Sequence, residues 1–291
     1  MTETYGTLRL HGTGILAAAG VPDAAYDAQQ LLEKACRMDR SSFELRRTEP
    51  AQEEEIKEFE ELCRLRASRI PLQHLLGEAW FMGLPFEVSP AVLIPRADTE
   101  CLAEAVLERV PGKGRGMRLL DLCTGSGCIG ISLAVLGQFE QVTLSDISPE
   151  ALRVARRNGE KNGAAARLRL AQGDLLNACT EDGKVLRQEK FDAVCSNPPY
   201  IPSRVIDGLI PEVRDHDPRL ALDGGPDGLD FYRRIASGAA EVLRPGGWLF
   251  LEIGEEQGAA VTELLAGCFE QTEVLRDLAG LDRVVSARRK E

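Results

Sequence analysis

Asn197-Pro198-Pro199-Tyr200 is the stretch of this sequence whose residue types and spacing say most about chemistry. Two adjacent prolines remove two backbone donors and stiffen the chain between an amide side chain and a phenol. An amide or aromatic amino nitrogen is a poor nucleophile, because its lone pair is delocalised into the neighbouring π-system. If the Asn197 side-chain oxygen and the Pro198 carbonyl each accept one N–H, they orient that nitrogen and favour its pyramidalisation. Its lone pair then points at an electrophilic methyl carbon for in-line displacement. No strong base is needed before attack, since methylation leaves the nitrogen positively charged and its proton departs easily. Tyr200 offers a ring face for a planar target group. Asn197, Pro198 and Tyr200 are therefore candidate catalytic residues, and Asn197, Pro198, Pro199 and Tyr200 together the candidate substrate-binding segment. A proline-rich turn without function is the competing explanation.

A second constellation lies upstream, in Leu119-Leu120-Asp121-Leu122-Cys123-Thr124-Gly125-Ser126-Gly127. Gly125, Gly127 and Gly130 satisfy GxGxxG, and an acid, Asp146, ends the next strand, so the string alone also fits a dinucleotide fold. Charge separates the two readings. Asp121 just upstream would repel a pyrophosphate but favour the sulfonium and amino group of S-adenosylmethionine. Asp146, with Ile147 beside it, is placed to accept from both ribose hydroxyls. Asp174 and Leu175 end the third strand, where a carboxylate and an apolar neighbour can hold the adenine amino group and ring; an N-cap role for Asp174 competes with this. The candidate cofactor contacts are thus Asp121, Cys123, Thr124, Gly125, Ser126, Gly127, Asp146, Ile147, Asp174, Leu175 and Asn197.

These residues need a scaffold, and the alternation of short apolar runs with helical segments after Met117 predicts a parallel sheet covered on both faces. Strands are expected over 118–123, 141–145, 167–171, 191–196 and 248–253, with an antiparallel edge hairpin from 273–276 and 283–287. Helices are expected over 127–136, 149–162, 228–243 and 255–268. Residues 201–226, with four prolines, form a long loop after the fourth strand, of the kind that is usually functional. Ahead of the sheet, 78–95 is rich in aromatic and β-branched residues with a Gly83-Leu84-Pro85 break, which predicts a β-hairpin linker. Residues 96–110 return to helical spacing. Before Glu78, apolar residues at helical spacing (Leu31, Leu32, Ala35, Cys36; Ile56, Phe59, Leu62, Cys63, Leu65) predict two amphipathic helices, the first starting at Pro22-Asp23. The expected organisation is an N-terminal helical domain over 1–77, a hairpin linker over 78–95 and a catalytic domain over 96–291.

Composition narrows the partners. A chain of 291 residues with 44% hydrophobic and 28% charged residues has the composition of a soluble globular protein. The longest apolar runs, such as 129–136, are too short to span a bilayer, and the polar start is no signal peptide, so a cytoplasmic protein without membrane association is expected. A net charge of −11 disfavours free nucleic acid as a partner. Eight cysteines without a CxxC pair and three scattered histidines support neither a metal site nor a disulfide framework.

The sequence resembles the protein-(glutamine-N5) methyltransferases that modify the Gly-Gly-Gln loop of class 1 peptide-chain release factors. The resemblance spans nearly the whole chain: 71–77 (PLQHLLG), 93–96 (LIPR), Thr99-Glu100, the glycine turn, 197–200 (NPPY), 217–222 (DPRLAL), 224–232 (GGPDGLDFY), Glu252-Ile253-Gly254 and 277–280 (DLAG). It implies a Rossmann-like class I methyltransferase with a seven-stranded, mostly parallel sheet, S-adenosylmethionine as cofactor, and a small N-terminal helical domain that helps grip the release factor. A glutamine of a ribosomal protein is an alternative target. The NPPY tetrapeptide also occurs in adenine-N6 DNA and guanine-N2 RNA methyltransferases, so an exocyclic nucleic-acid amine is another. Three positions depart from the family pattern. Ala97-Asp98 stands where Pro-Glu is usual, Leu281 where an arginine is usual, and Cys123 where a glycine is common. A side chain at Cys123 narrows the space around the cofactor's amino-acid end.

Overall fold

The structure, a computed structural model, describes residues 3–291. Its contacts divide the chain into two compact units: the residues up to Glu78 together with Ile210–His216, and Ala79–Leu209 together with Asp217–Glu291.

The first unit is helical, with α1 (Tyr5–Ala18), α2 (Ala24–Ala35), α3 (Arg40–Arg46), α4 (Glu53–Ala67) and α5 (Leu72–Leu76). Sequence periodicity predicted only two of these. α1 escapes that test because Gly6, Gly12 and Gly14 interrupt its apolar stripe, yet Gly12 has a packing reason. A Cβ there would sit 2.4 Å from the Phe59 ring of α4, so the glycine lets the two helices approach closely. The helix starts are fixed locally. The Asp39 carboxylate accepts the Ser42 N–H at 2.7 Å ahead of α3, and Glu55 accepts the Gln52 N–H at 2.9 Å ahead of α4. α4 carries Glu53, Glu54 and Glu55 in its first turn and Arg64 and Arg66 in its last, complementing the helix dipole. The core gathers Tyr5, Leu8, Leu16, Leu31, Leu32, Phe43, Phe59 and Cys63.

The unit is completed from far along the chain. In Ile210–His216 a short helix, α9 (Pro211–Arg214), carries Glu212. Its carboxylate accepts from Arg69 Nε (2.7 Å) and Nη2 (2.6 Å) and from Arg66 Nη1 (3.0 Å), while Arg66 Nε donates to Asp27 at 2.7 Å. Arg66 and Asp27 are each only 5% exposed, so this is a buried ionic network in which every charge is paired.

In the second unit β1 (Glu78–Phe81) and β2 (Leu84–Glu87) form the expected hairpin. It turns at Met82 and Gly83, both with positive φ, as a tight two-residue hairpin turn demands. Phe81 and Phe86 pack edge to face with ring centroids 6.2 Å apart. After the linker and α6 (Glu100–Arg109), the sheet is built from β3 (Arg118–Leu122), β4 (Gln141–Asp146), β5 (Leu168–Gln172), β6 (Cys179–Thr180), β7 (Phe191–Ser196), β8 (Leu243–Glu252), β9 (Phe269–Arg276) and β10 (Asp282–Arg289). The spatial order is β6-β5-β4-β3-β7-β8-β10-β9. β5, β4, β3, β7 and β8 are parallel; β10, β9 and β6 run antiparallel to their neighbours. The expected seven strands are joined by β6, a two-residue edge strand too short to show any periodicity. α7 (Cys128–Leu136), α8 (Pro149–Lys161) and α6 bury Ile131, Leu152 and Val106 in one core. α11 (Asp230–Val242) and α12 (Gly258–Leu265) bury Ile235 and Val261 in another. The long loop after β7 is not structureless, since besides α9 it holds α10 (Arg219–Leu222).

The strand order reverses direction at β3. From there the chain runs outward through β4 and β5, then returns to β7 on the other side of β3. That switch point opens a crevice at the carboxyl ends of β3 and β7, where the glycine turn and Asn197 emerge side by side. Ser196 locks them together, its hydroxyl donating to the Leu122 carbonyl at 2.8 Å.

Candidate active site

The glycine turn is built around a carboxylate. Asp121 is fully buried; its Oδ2 accepts the Thr124 hydroxyl at 2.6 Å and the Gly130 N–H at 3.0 Å. Burial pushes its carboxyl up to about 7, against the pull of these hydrogen bonds. Gly130 has no room for a side chain, because a Cβ would meet Leu144 at 2.3 Å and Asp121 Oδ2 at 2.9 Å. Gly127 caps α7 in the left-handed region at φ 82°. Cys123, at the position where a glycine is common in the resembling family, adopts φ 58°, a left-handed conformation that costs an L-residue about 1–2 kcal/mol. The glycine preference there is thus a backbone requirement that this chain meets with a strained cysteine.

Above the turn lies a cavity of about 340 Å³, in the range of small-molecule sites. Of the candidate cofactor residues, Cys123, Thr124, Gly125, Ser126, Asp146, Ile147, Asp174, Leu175 and Asn197 line it, and so does Pro199. Asp121 and Gly127 do not line it; they brace the turn from below. Pro198 and Tyr200 lie outside the lining as well.

The residues present fit a nucleoside with a charged tail. Gly125 faces open space, with no atom within 4 Å of where a Cβ would stand. Asp146 Oδ2 accepts the Gly125 N–H and Oδ1 the Ser148 N–H, each at 2.9 Å, which fixes the carboxylate and leaves lone pairs for two hydroxyls. Burial raises the Asp146 pKa, opposed by those same N–H groups. Asp174 makes no capping hydrogen bond, so the N-cap explanation fails. Its Oδ2 instead accepts from Arg234 Nη2 at 2.5 Å. Phe231 and Arg234 of α11 line the same wall; Phe231 falls within the 224–232 stretch of the resemblance, whereas Arg234 had no signal in the sequence beyond membership of an amphipathic helix.

Two further segments close the cavity, Ala91–Pro95 of the linker with Arg96 directly after it, and Pro218, Leu220 and Ala221 of the loop after β7. They are tied to each other by Arg96 Nη2, which donates to the fully buried Asp217 side chain at 2.5 Å. The linker is fastened to the glycine turn through the buried Asn158 of α8. Its Nδ2 donates to the carbonyls of Glu87 (3.0 Å) and Ser126 (2.9 Å), and its Oδ1 accepts the Glu87 N–H (2.7 Å).

The Asn197–Tyr200 segment is held on its far side by the 224–232 motif. A Cβ on Gly224 would lie 2.7 Å from Tyr200 Cα, and one on Gly228 2.4 Å from the Tyr200 carbonyl oxygen, so only glycine allows this approach. That carbonyl accepts from Gln257 Nε2 at 3.0 Å. Asn197 Nδ2 donates to Thr99 Oγ1 at 3.3 Å. The Tyr200 hydroxyl sits 3.5 Å from Glu252 Oε1, and burial beside that carboxyl pushes the phenol up to about 12.

A Rossmann-like sheet with a cavity of small-molecule size at its switch point and an Asn-Pro-Pro-Tyr turn beside it defines an S-adenosylmethionine-dependent methyltransferase of class I. Two family models match, the PrmC N-terminal domain over residues 7–77 and the methyltransferase small domain over 97–210. The chain belongs to the release factor glutamine methyltransferases: the Moorella thermoacetica member is 47% identical over 278 residues, covering 95% of each chain. The Geobacter sulfurreducens member is 42% identical over 94% of this chain and 93% of its own. Among solved structures, the hMettl16 catalytic domain in complex with an RNA hairpin superposes with TM-score 0.56 at 16% identity, covering 78% of this chain and 80% of that one. A methyltransferase from Pyrococcus furiosus gives 0.50 at 19%, covering 72% and 91%. At those identities the structures speak for the fold alone.

Proposed function

We propose that the chain transfers a methyl group from S-adenosylmethionine to the side-chain amide nitrogen, N5, of the glutamine in the Gly-Gly-Gln motif of class 1 peptide-chain release factors. The observation that carries this is identity of 36–47% to relatives of that name over nearly the full chain, joined to an Asn197 that lines the cavity.

When bound, S-adenosylmethionine would supply an electrophilic methyl group on a sulfonium, with the thioether as leaving group, and the methylated nitrogen's surplus proton would pass to solvent. The protein's part is positioning. Asp146 would take the ribose hydroxyls, Asp174 and Leu175 would hold the adenine, and the Cys123–Ser126 stretch would border the amino-acid end. Asn197 Oδ1 and the Pro198 carbonyl accept the two amide N–H groups and aim the lone pair, while the Tyr200 ring packs the planar amide. A release factor incubated with the protein and S-adenosylmethionine should gain a single methyl group on that glutamine by peptide mass spectrometry. Methylation of an adenine-containing oligonucleotide in its place would overturn the assignment.

A further inference from the structure

Arg234 stands in the wall of the cavity, and the methyl-transfer scheme leaves it without a task. It lies three residues after Phe231 on α11, which places both side chains on one face of that helix, and both line the cavity. The guanidinium lies over the Phe231 ring, 5.7 Å from its centroid, and Nη2 donates to Asp174 Oδ2 at 2.5 Å. The adjacent Arg233 is bonded elsewhere, to Asp227 and Asp230, and does not line the cavity.

Stability gives no reason for this pair. The two side chains are 45% and 48% exposed, and an ion pair so open to water contributes little to folding. What the pair changes is the freedom of the carboxylate. The last torsion of an aspartate is soft, so a carboxylate at the mouth of a cavity turns readily between ligand and water. A guanidinium braced on an aromatic ring and bonded to one oxygen fixes the direction of the other. Oδ2 of Asp174 is then occupied, and Oδ1 is presented to a ligand in one orientation. For a purine that orientation has a chemical meaning. A 6-amino group donates to the oxygen, whereas a 6-oxo group in the same place sets lone pairs against lone pairs. A carboxylate free to swing escapes that repulsion, and one held in place does not.

We propose that Arg234 is a positioning residue, which fixes the Asp174 carboxylate and thereby makes the cavity select a 6-aminopurine over a 6-oxopurine. The inference rests on the adenine role given to Asp174 above.

Its test is binding to the full-length protein, measured by calorimetry with two probes, S-adenosylhomocysteine and its 6-oxo counterpart S-inosylhomocysteine. The parent should prefer the adenosyl probe by about thirtyfold or more. Arg234→Ala should cut that preference by about fivefold, mainly through weaker binding of the adenosyl probe. A residue that only shaped the wall would weaken both probes alike and leave the ratio unmoved. Asp174→Asn should remove most of the preference, because its amide can turn a donor toward the 6-oxo group. With that asparagine in place, adding Arg234→Ala should change the ratio by less than about twofold, since the two residues act through one contact. A ratio in Arg234→Ala equal to the parent's would overturn the proposal, and so would an Arg234→Ala effect that persists in full beside Asp174→Asn. A parent that binds the two probes equally well would refute the adenine role of Asp174, and the proposal with it.

Discussion

Asn197 concentrates the chemistry, and its removal separates transfer from binding. Asn197→Ala should lower kcat by roughly 10²-fold, as expected for the loss of one positioned polar partner of the transition state, with a smaller change in cofactor affinity by calorimetry. An unaltered kcat would remove Asn197 from the mechanism. Cys123 tests the backbone. At φ 58° a β-branched side chain is worse tolerated than cysteine, so Cys123→Val should lower unfolding stability by roughly 1–3 kcal/mol in urea. Equal stability would show that the turn relaxes. At this scale nine of the eleven candidate cofactor residues named from the sequence line one cavity, because glycines, acids and the asparagine carry their constraints in their own chemistry. Asp121 was legible as important but not in its place. A carboxylate beside a glycine turn reads equally well as a ligand contact or as a brace, and only the buried bonds to Thr124 and Gly130 show the second.

Elements decide what closes over the cavity. Arg96 and Asp217 lie 121 residues apart and join the linker to the loop after β7. Asp217→Asn weakens that tie by removing its charge, and S-adenosylmethionine should bind roughly tenfold more weakly by calorimetry, about the worth of one charge-assisted hydrogen bond. Unchanged affinity would mean the two segments hold their places unaided. The parallel strands and their helices could be read from period and length, since each buries a face whose pattern is local. α1 could not, because its reason for glycine at position 12 is the Phe59 ring on another helix. The same holds for the 224–232 motif. Its glycines look like a flexible stretch until Tyr200 is seen pressed against them.

For the whole molecule, the helical unit carries none of the residues that line the cavity, and we propose that it serves recognition of the release factor. A bare glutamine side chain offers too little surface for selection, so the folded factor should show a kcat/KM far above that of a short Gly-Gly-Gln peptide; parity would refute the assignment. The unit's own stability has a pH signature in Glu212. Burial works to raise its pKa, but Arg69 and Arg66 prevail and hold it down to about 2. A carboxylate with a depressed folded pKa stabilises fully above its unfolded value near 4.5, and that support, up to about 3 kcal/mol, is lost as pH falls toward 2. Glu212→Gln should therefore unfold more easily at neutral pH and show a flatter acid limb; identical limbs would refute the linkage. Because this unit takes Ile210–His216 from beyond the fourth parallel strand, it also has a history during synthesis. Residues 3–78 are synthesised roughly 7 to 28 seconds before His216 is made, at ordinary elongation rates. Through that interval Arg66 and Arg69 wait without Glu212, so the helical unit stays unfinished until four of the five parallel strands that follow it have been made.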